Sequence, residues 1–156
     1  MARVSRETAA AHRTAIVAAA GRLFRQRGFE RVGVAEITRE AGLTHGGFYG
    51  HFASKDALAA EALTAAFAES RALVEAATLE GWVRSYLSRA HRDHPESGCP
   101  IPALAADVAQ GAEPIRRAFA EGLSTLTAAV AARLDHLGEA ERAARAAALV
   151  ALMVGG

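Results

Sequence analysis

Between two stretches that read as good helices, VAEITREAG and DALAAEALTAAF, the chain places LTHGGFYGHFASKDAL, with glycines at 46, 47 and 50. Glycine costs roughly 1 kcal/mol against alanine inside a helix, so helix propensity alone would not select three so close together. Phe48 and Phe52, four residues apart, nonetheless indicate wound backbone. Before them, Val34, Ile37 and Ala41 mark the inward side of a short helix, Val34 to Ala41. Gly42 is placed to stop it, and Thr44 to cap the next one, Thr44 to Gly50. Two short helices joined by a tight glycine turn make a helix-turn-helix, whose second helix can enter a DNA major groove. The glycines would then let backbone approach something outside the protein. The plainer alternative is a loop at a helical junction.

The rest of the chain is patterned for helix. Half of the residues are apolar, alanine leads them, and β-branched residues are few. Ile16, Ala20, Leu23 and Phe24 share one face of a first helix, Thr8 to Gln26, with Gly28 as its stop. Ser54 caps a longer helix, Lys55 to about Ala77. Further helices are expected over Leu79 to His91, Pro100 to Gln110, Pro114 to Leu137 and from Glu139 onward, separated by HPESGCP, QGAEP and LGE. The fold class is all-α. The ending, EAERAARAAALVALMVGG, stays apolar to the last residue, which predicts a helix buried against a partner or a longer element cut short.

Charge divides the chain. Residues 1–56 hold nine lysines and arginines against five acidic residues, and residues 57–156 hold nine against twelve. A basic front suits a polyanion, although ordinary solvated surface charge accounts for the same numbers. No run of about eighteen apolar residues is present, and the charged start, MARVSRETAAAHR, lacks the apolar stretch of a signal peptide. The cytoplasm is the expected compartment. No nucleophile–base–orienter grouping and no phosphate-binding glycine loop is visible, so an enzyme is not expected, nor a cofactor.

Taken together, VAEITREAGLTHGGFYGHFASKDAL resembles the DNA-binding signature of the TetR/AcrR family of bacterial transcriptional regulators, and IVAAAGRLFRQRGFERVGV fits that family's first helix. GCPIPALAADVA resembles one subgroup of these repressors. The resemblance implies a helix-turn-helix domain over 8–54 and a helical effector-binding and dimerisation domain over 55–156. It implies a homodimer on a palindromic operator in double-stranded DNA, released by a small-molecule effector. An architectural DNA-binding protein that senses nothing, its C-terminal half serving only to dimerise, is the alternative. By analogy Thr44, Tyr49 and Lys55 touch phosphates, while His45, Gly46 and Gly47 lie nearest the bases. The pattern departs at Gly33, where the family usually has Thr or Ser, and at Gly50, often basic. Both departures remove backbone contacts and shift weight to an N-terminal arm, Arg3 and Arg6.

Several residues carry two readings. Tyr49 can reach a phosphate with its phenol while its ring packs on the domain, and Lys55 adds a point charge at a helix start. His51 either donates to a phosphate or closes the helix locally. His91, His94 and Cys99 have two of the ligand types zinc accepts, but no fourth ligand follows and Pro95 breaks the helix, so no metal is assigned. Cys99, ahead of Pro100, is an N-cap candidate whose thiolate the helix end would favour, or a small buried residue. Trp82 and Tyr86, with Phe67, Cys99, Leu104 and Phe119, either line an effector pocket or are plain core.

Overall fold

The computed structural model describes residues 6–155, and among these no strand occurs. Helices α1 (Arg6–Arg27) and α2 (Val34–Glu40) precede a 3₁₀ helix, His45–Gly50, and α3 (Lys55–Ala76). Then come α4 (Leu79–Tyr86), α5 (Arg89–Asp93), a 3₁₀ turn at Pro95–Ser97, α6 (Pro100–Gln110), α7 (Glu113–Ala132) and α8 (Glu139–Gly155). No described helix is long and apolar enough to cross a membrane.

At the N-terminal end, α1 buries Ile16, Ala19, Ala20, Leu23 and Phe24 along one stripe. Gly28 ends it in the left-handed region (φ +82°), where its N–H donates to the Phe24 carbonyl at 2.7 Å. Gly42 does the same after α2 (φ +73°), and Leu43 N–H reaches back to the Thr38 carbonyl at 2.8 Å. An L side chain is strained at both positions, so these two glycines are conformational requirements. Ser54 caps α3 by accepting from Ala57 N–H at 3.1 Å.

Three expectations shift. The second helix of the motif is wound as 3₁₀, with Gly47 N–H on the Thr44 carbonyl at 3.0 Å, and the Thr44 side chain makes no capping bond. Glycine-poor α-propensity in so short a segment favours the tighter winding. The stretch expected as one helix over 79–91 breaks at Leu87 and Ser88, because the Ser88 hydroxyl accepts from His91 N–H at 3.2 Å and starts α5 afresh. Finally, α7 stops at Ala132 rather than Leu137, where bonds from Arg133, Leu134 and Leu137 back three residues tighten the chain into turns.

The C-terminal half is organised by α3 against α7, the most extensive helix pair in the molecule. Phe67 from α3 is fully buried and stands edge-on to Phe119 of α7, ring centres 5.4 Å apart. Opposite it α7 carries Gly122, and a Cβ there would run into the Phe67 ring. Gly122→Ala should therefore lower stability by about 1–3 kcal/mol through overpacking. Gly46→Ala, in open space, should leave the melting temperature essentially unchanged. Equal Tm values for the two variants would show that the α3–α7 contact tolerates the added methyl.

Candidate functional site

The 3₁₀ helix is anchored by its apolar side. Phe48 and Phe52 are 1% and 4% exposed and stack with ring centres 5.6 Å apart. The Arg13 guanidinium from α1 lies 4.6 Å over the Phe52 ring and forks onto both oxygens of Glu61, one bond measuring 2.6 Å. That clamp joins α1, α3 and the 3₁₀ helix. The other side faces outward. Tyr49 is 67% exposed, and Thr44, His45, Gly46 and Gly50 are exposed beside it. The His45 ring meets Tyr49 edge-on at 5.8 Å. Lys55 is half-buried at the first position of α3, and half-buried His51 meets His12 edge-on at 6.3 Å. Arg6 opens α1 and is exposed, whereas Arg3 lies outside the described residues.

Among the described residues no neighbour requires glycine on this face. A Cβ at Gly46 or Gly50 would meet no atom within 4 Å, and one at Gly47 only the Thr44 hydroxyl, at 4.0 Å. None of the three has positive φ. They are unlike Gly28, where the Asp107 carboxylate would clash with any Cβ. Lost helix propensity without an internal return points to an external surface that needs the space.

The charges sort in the same direction. Arg13, Arg22, Arg25 and Arg27 are paired with Glu61, Glu40, Glu69 and Glu36. Arg6, Arg31, Arg39 and Lys55 make no ion pair among the described residues. Arg31 and Arg39 were not picked out from sequence. Arg39, a basic residue in the last turn of the motif's first helix, was legible there by position.

Residues 16–62 match the family model of bacterial regulatory proteins of the tetR family, and residues 76–156 match the C-terminal domain model of LmrA/YxaF-like transcriptional regulators. The chain is a TetR-family transcriptional regulator. Among curated sequences no relative matches. Solved structures agree on the fold. The reduced form of E. coli NemR is 24% identical with a TM-score of 0.74, covering 92% of this chain and 83% of that one. A TetR/AcrR-family regulator is 24% identical with a TM-score of 0.71, covering 94% and 85%. A regulator from Aquifex aeolicus VF5 is 19% identical with a TM-score of 0.63, covering 91% and 82%.

In this TetR-family regulator the α1 end of the DNA-binding unit is hydrogen-bonded to Gly98 and Asp107 of the C-terminal half. Arg25, on α1, is 7% exposed and donates to the Gly98 carbonyl at 3.2 Å, to its own helix at Gly21 O, and to Glu69 at 3.3 and 3.4 Å. Asp107, on α6, accepts from Phe29 N–H at 2.8 Å just past the end of α1. Gly98 and Cys99 also form part of the wall of an open cleft of about 460 Å³ between α4, α5, the start of α6 and the end of α8. One short segment thus touches both α1 and the cleft.

Of the six residues singled out for a pocket, the structure brings Trp82, Tyr86 and Cys99 together. Phe67 and Phe119 meet instead at the α3–α7 contact, and Leu104, 2% exposed, belongs to the core. Sequence reasoning missed His91, Met153 and Val154 as cleft residues, because only tertiary packing carries the end of α8 to α5. His91 and His94 are engaged elsewhere than on a metal. His91 Nε2 accepts from Cys99 N–H at 3.0 Å and His94 Nδ1 faces Glu96 at 3.0 Å. Among the described residues no three His, Cys, Asp or Glu side chains converge on a metal position.

Cys99 occupies the N-cap position of α6 ahead of Pro100 without a side-chain capping bond, and of its two readings the buried residue fits rather than the thiolate. Burial pushes the thiol above its ordinary value, and the opposing help from the Ile101 amide, Ser70, Tyr86 and Arg25 does not offset it. A thiol 7% exposed loses more hydration as an anion than one helix end returns. N-ethylmaleimide at pH 7 should label Cys99 of the folded protein more slowly than that of the urea-unfolded chain, because the raised pKa and the burial both leave less accessible thiolate. Comparable rates would restore the reactive thiolate. Asp107→Ala should speed hydrogen exchange at the Phe29 amide by roughly tenfold, matching a lost bond of about 1–2 kcal/mol. Unchanged protection would show that Asp107 does not hold the end of α1.

Proposed function

We propose that this TetR-family regulator is a ligand-responsive repressor, a homodimer that holds a palindromic operator until a small molecule enters the cleft. Residues 8–54 read the DNA, and residues 55–156 bind the effector and dimerise. Thr44, Tyr49 and Lys55 contact phosphates with help from Arg6, Arg3 and His51, while His45, Gly46 and Gly47 sit at the bases. The observation that carries the reading is the Arg25 bond to the Gly98 carbonyl, which makes a cleft wall and the first helix of the DNA-binding unit one connected structure. A molecule that favours a displaced Gly98–Cys99 segment then also favours displaced α1. The coupling it supplies is its affinity difference between the two states, typically 1–3 kcal/mol.

Two further observations support the parts. The unneeded glycines of the 3₁₀ helix and the unpaired cations of the same N-terminal third fit a close-approaching, phosphate-seeking surface. On α8, Leu152 is 73% exposed beside exposed Ala147, Ala148 and Ala151, an apolar face that a second copy would cover.

Selection of bound duplexes from a random pool tests the reading. It should return a palindrome with half-sites about one helical turn, or a small multiple, apart, and affinity should fall steeply with salt. Lys55→Ala should weaken all sequences alike and lower the salt slope by about one, whereas His45→Ala should change which bases are preferred. An asymmetric consensus would remove the two-fold dimer. A Lys55→Ala protein with altered base preference and an intact slope would reverse the assigned roles.

A further inference from the structure

The cleft has a chemistry of its own. Its sides are apolar where Leu87, Pro95, Pro102, Ala103, Met153 and Val154 line it. Its one permanently charged side chain is Arg92. Arg92 forks onto neighbouring Asp93 at 2.7 and 3.1 Å, both side chains out in solvent. Burial lowers the pKa of His91, which holds the ring neutral at pH 7. Because Nε2 accepts the Cys99 N–H, the ring proton of the neutral form sits on Nδ1, a donor. An anionic ligand would find only Arg92, out in solvent and shared with Asp93, and would lose hydration against the apolar walls.

The strongest unused group is the Tyr86 hydroxyl. It is shut from solvent and has no hydrogen-bond partner among the described residues. The Cys99 thiol beside it interacts with it, but sulfur is a weak acceptor and the pair does not meet the geometry of a hydrogen bond. Burial, with Cys99 second, pushes the phenol far above its ordinary value, so it stays protonated and can only gain by donating. A buried hydroxyl left unpaired costs about 1–3 kcal/mol. The ring leans on His91 with centres 4.2 Å apart and meets Trp82 edge-on at 6.1 Å, and it lines the cleft and both small cavities behind it, of about 50 and 10 Å³.

We infer that the cleft takes a neutral, largely apolar molecule bearing a hydrogen-bond acceptor such as a ketone carbonyl, with the Tyr86 hydroxyl as its donor. The inference rests on the reading of this cleft as the effector site. Since the phenol oxygen is closed to solvent, the acceptor reaches it only when the Tyr86 ring turns away from Cys99 towards the cleft. That turn gives the ligand its preference for one state, because the missing hydrogen bond is made only there. It also disturbs the ring contact with His91, whose Nε2 holds the Cys99 amide next to the Gly98 carbonyl bound by Arg25. Acceptor binding and release of α1 are thereby joined through three adjacent contacts.

Three probes of one shape separate the possibilities: alpha-tetralone, a ketone; tetralin, its hydrocarbon; and tetralin-alpha-carboxylate, an anion. Calorimetry on the full chain without DNA should give a dissociation constant about fivefold lower for the ketone than for the hydrocarbon, one hydrogen bond's worth. Partition alone predicts the reverse order, as the ketone is better hydrated. The carboxylate should bind weakest. Tyr86→Phe should fold at least as well, having lost only an unsatisfied group, and should bind ketone and hydrocarbon equally. A ketone preference surviving in Tyr86→Phe, no preference in the native chain, tightest binding by the carboxylate, or no heat from any probe would each overturn the inference. A separate arm adds alpha-tetralone to the protein on its selected operator. Ketone selectivity that depends on Tyr86 but leaves DNA bound would sink effector release and leave the cleft chemistry standing.

Discussion

A guanidinium buried on the first helix holds this molecule's two halves in register. Arg25 has a side chain only 5% exposed, and its one carboxylate partner, Glu69, is 63% exposed and more than 3 Å away. Such a charge is stable inside only if its remaining donors find oxygen, and they do so on Gly21 and on Gly98, seventy-three residues away. The requirement to satisfy Arg25 therefore fixes where the Pro95–Pro100 stretch lies against α1. Asp107 repeats the device one helix further on, taking Phe29 N–H where the chain leaves α1 and needs an acceptor.

In the proposed function these links are what would join the effector cleft to the DNA-binding unit. Packed helices do not deform continuously, so a segment bonded to both α1 and the cleft moves with both or with neither. The buried alternatives are few. Cys99, protonated and buried, contributes packing and a backbone amide more than reactivity. The Tyr86 hydroxyl is the one buried side-chain N or O atom left without a hydrogen-bond partner among the described residues, in a cleft wall that is largely apolar.

The glycines show how one residue type serves opposite needs. Gly28 and Gly42 answer to the backbone, each at positive φ, and Gly122 answers to the Phe67 ring. Gly46, Gly47 and Gly50 answer to neither. Only comparison of all six environments separates glycines that hold the fold from those that clear an outer face.

The sequence by itself determined the helical class, the helix-turn-helix at 34–50 and its aromatic anchors, because those depend on local periodicity, capping and glycine placement within a few residues. Phe48 and Phe52 could be read as a wound pair from their spacing alone, and the break before Pro100 from its composition. The winding of His45–Gly50 as 3₁₀ and the restart at Ser88 were finer than propensity can resolve, since each turns on one or two hydrogen bonds. Tertiary structure alone decided the cleft. Met153 is far along the chain from Tyr86 and His91, and no periodicity relates the end of α8 to α5. It also decided the protonation of Cys99, because the helix end that favours a thiolate is a local feature while the burial that overrides it is assembled by α1, α3 and α4 together.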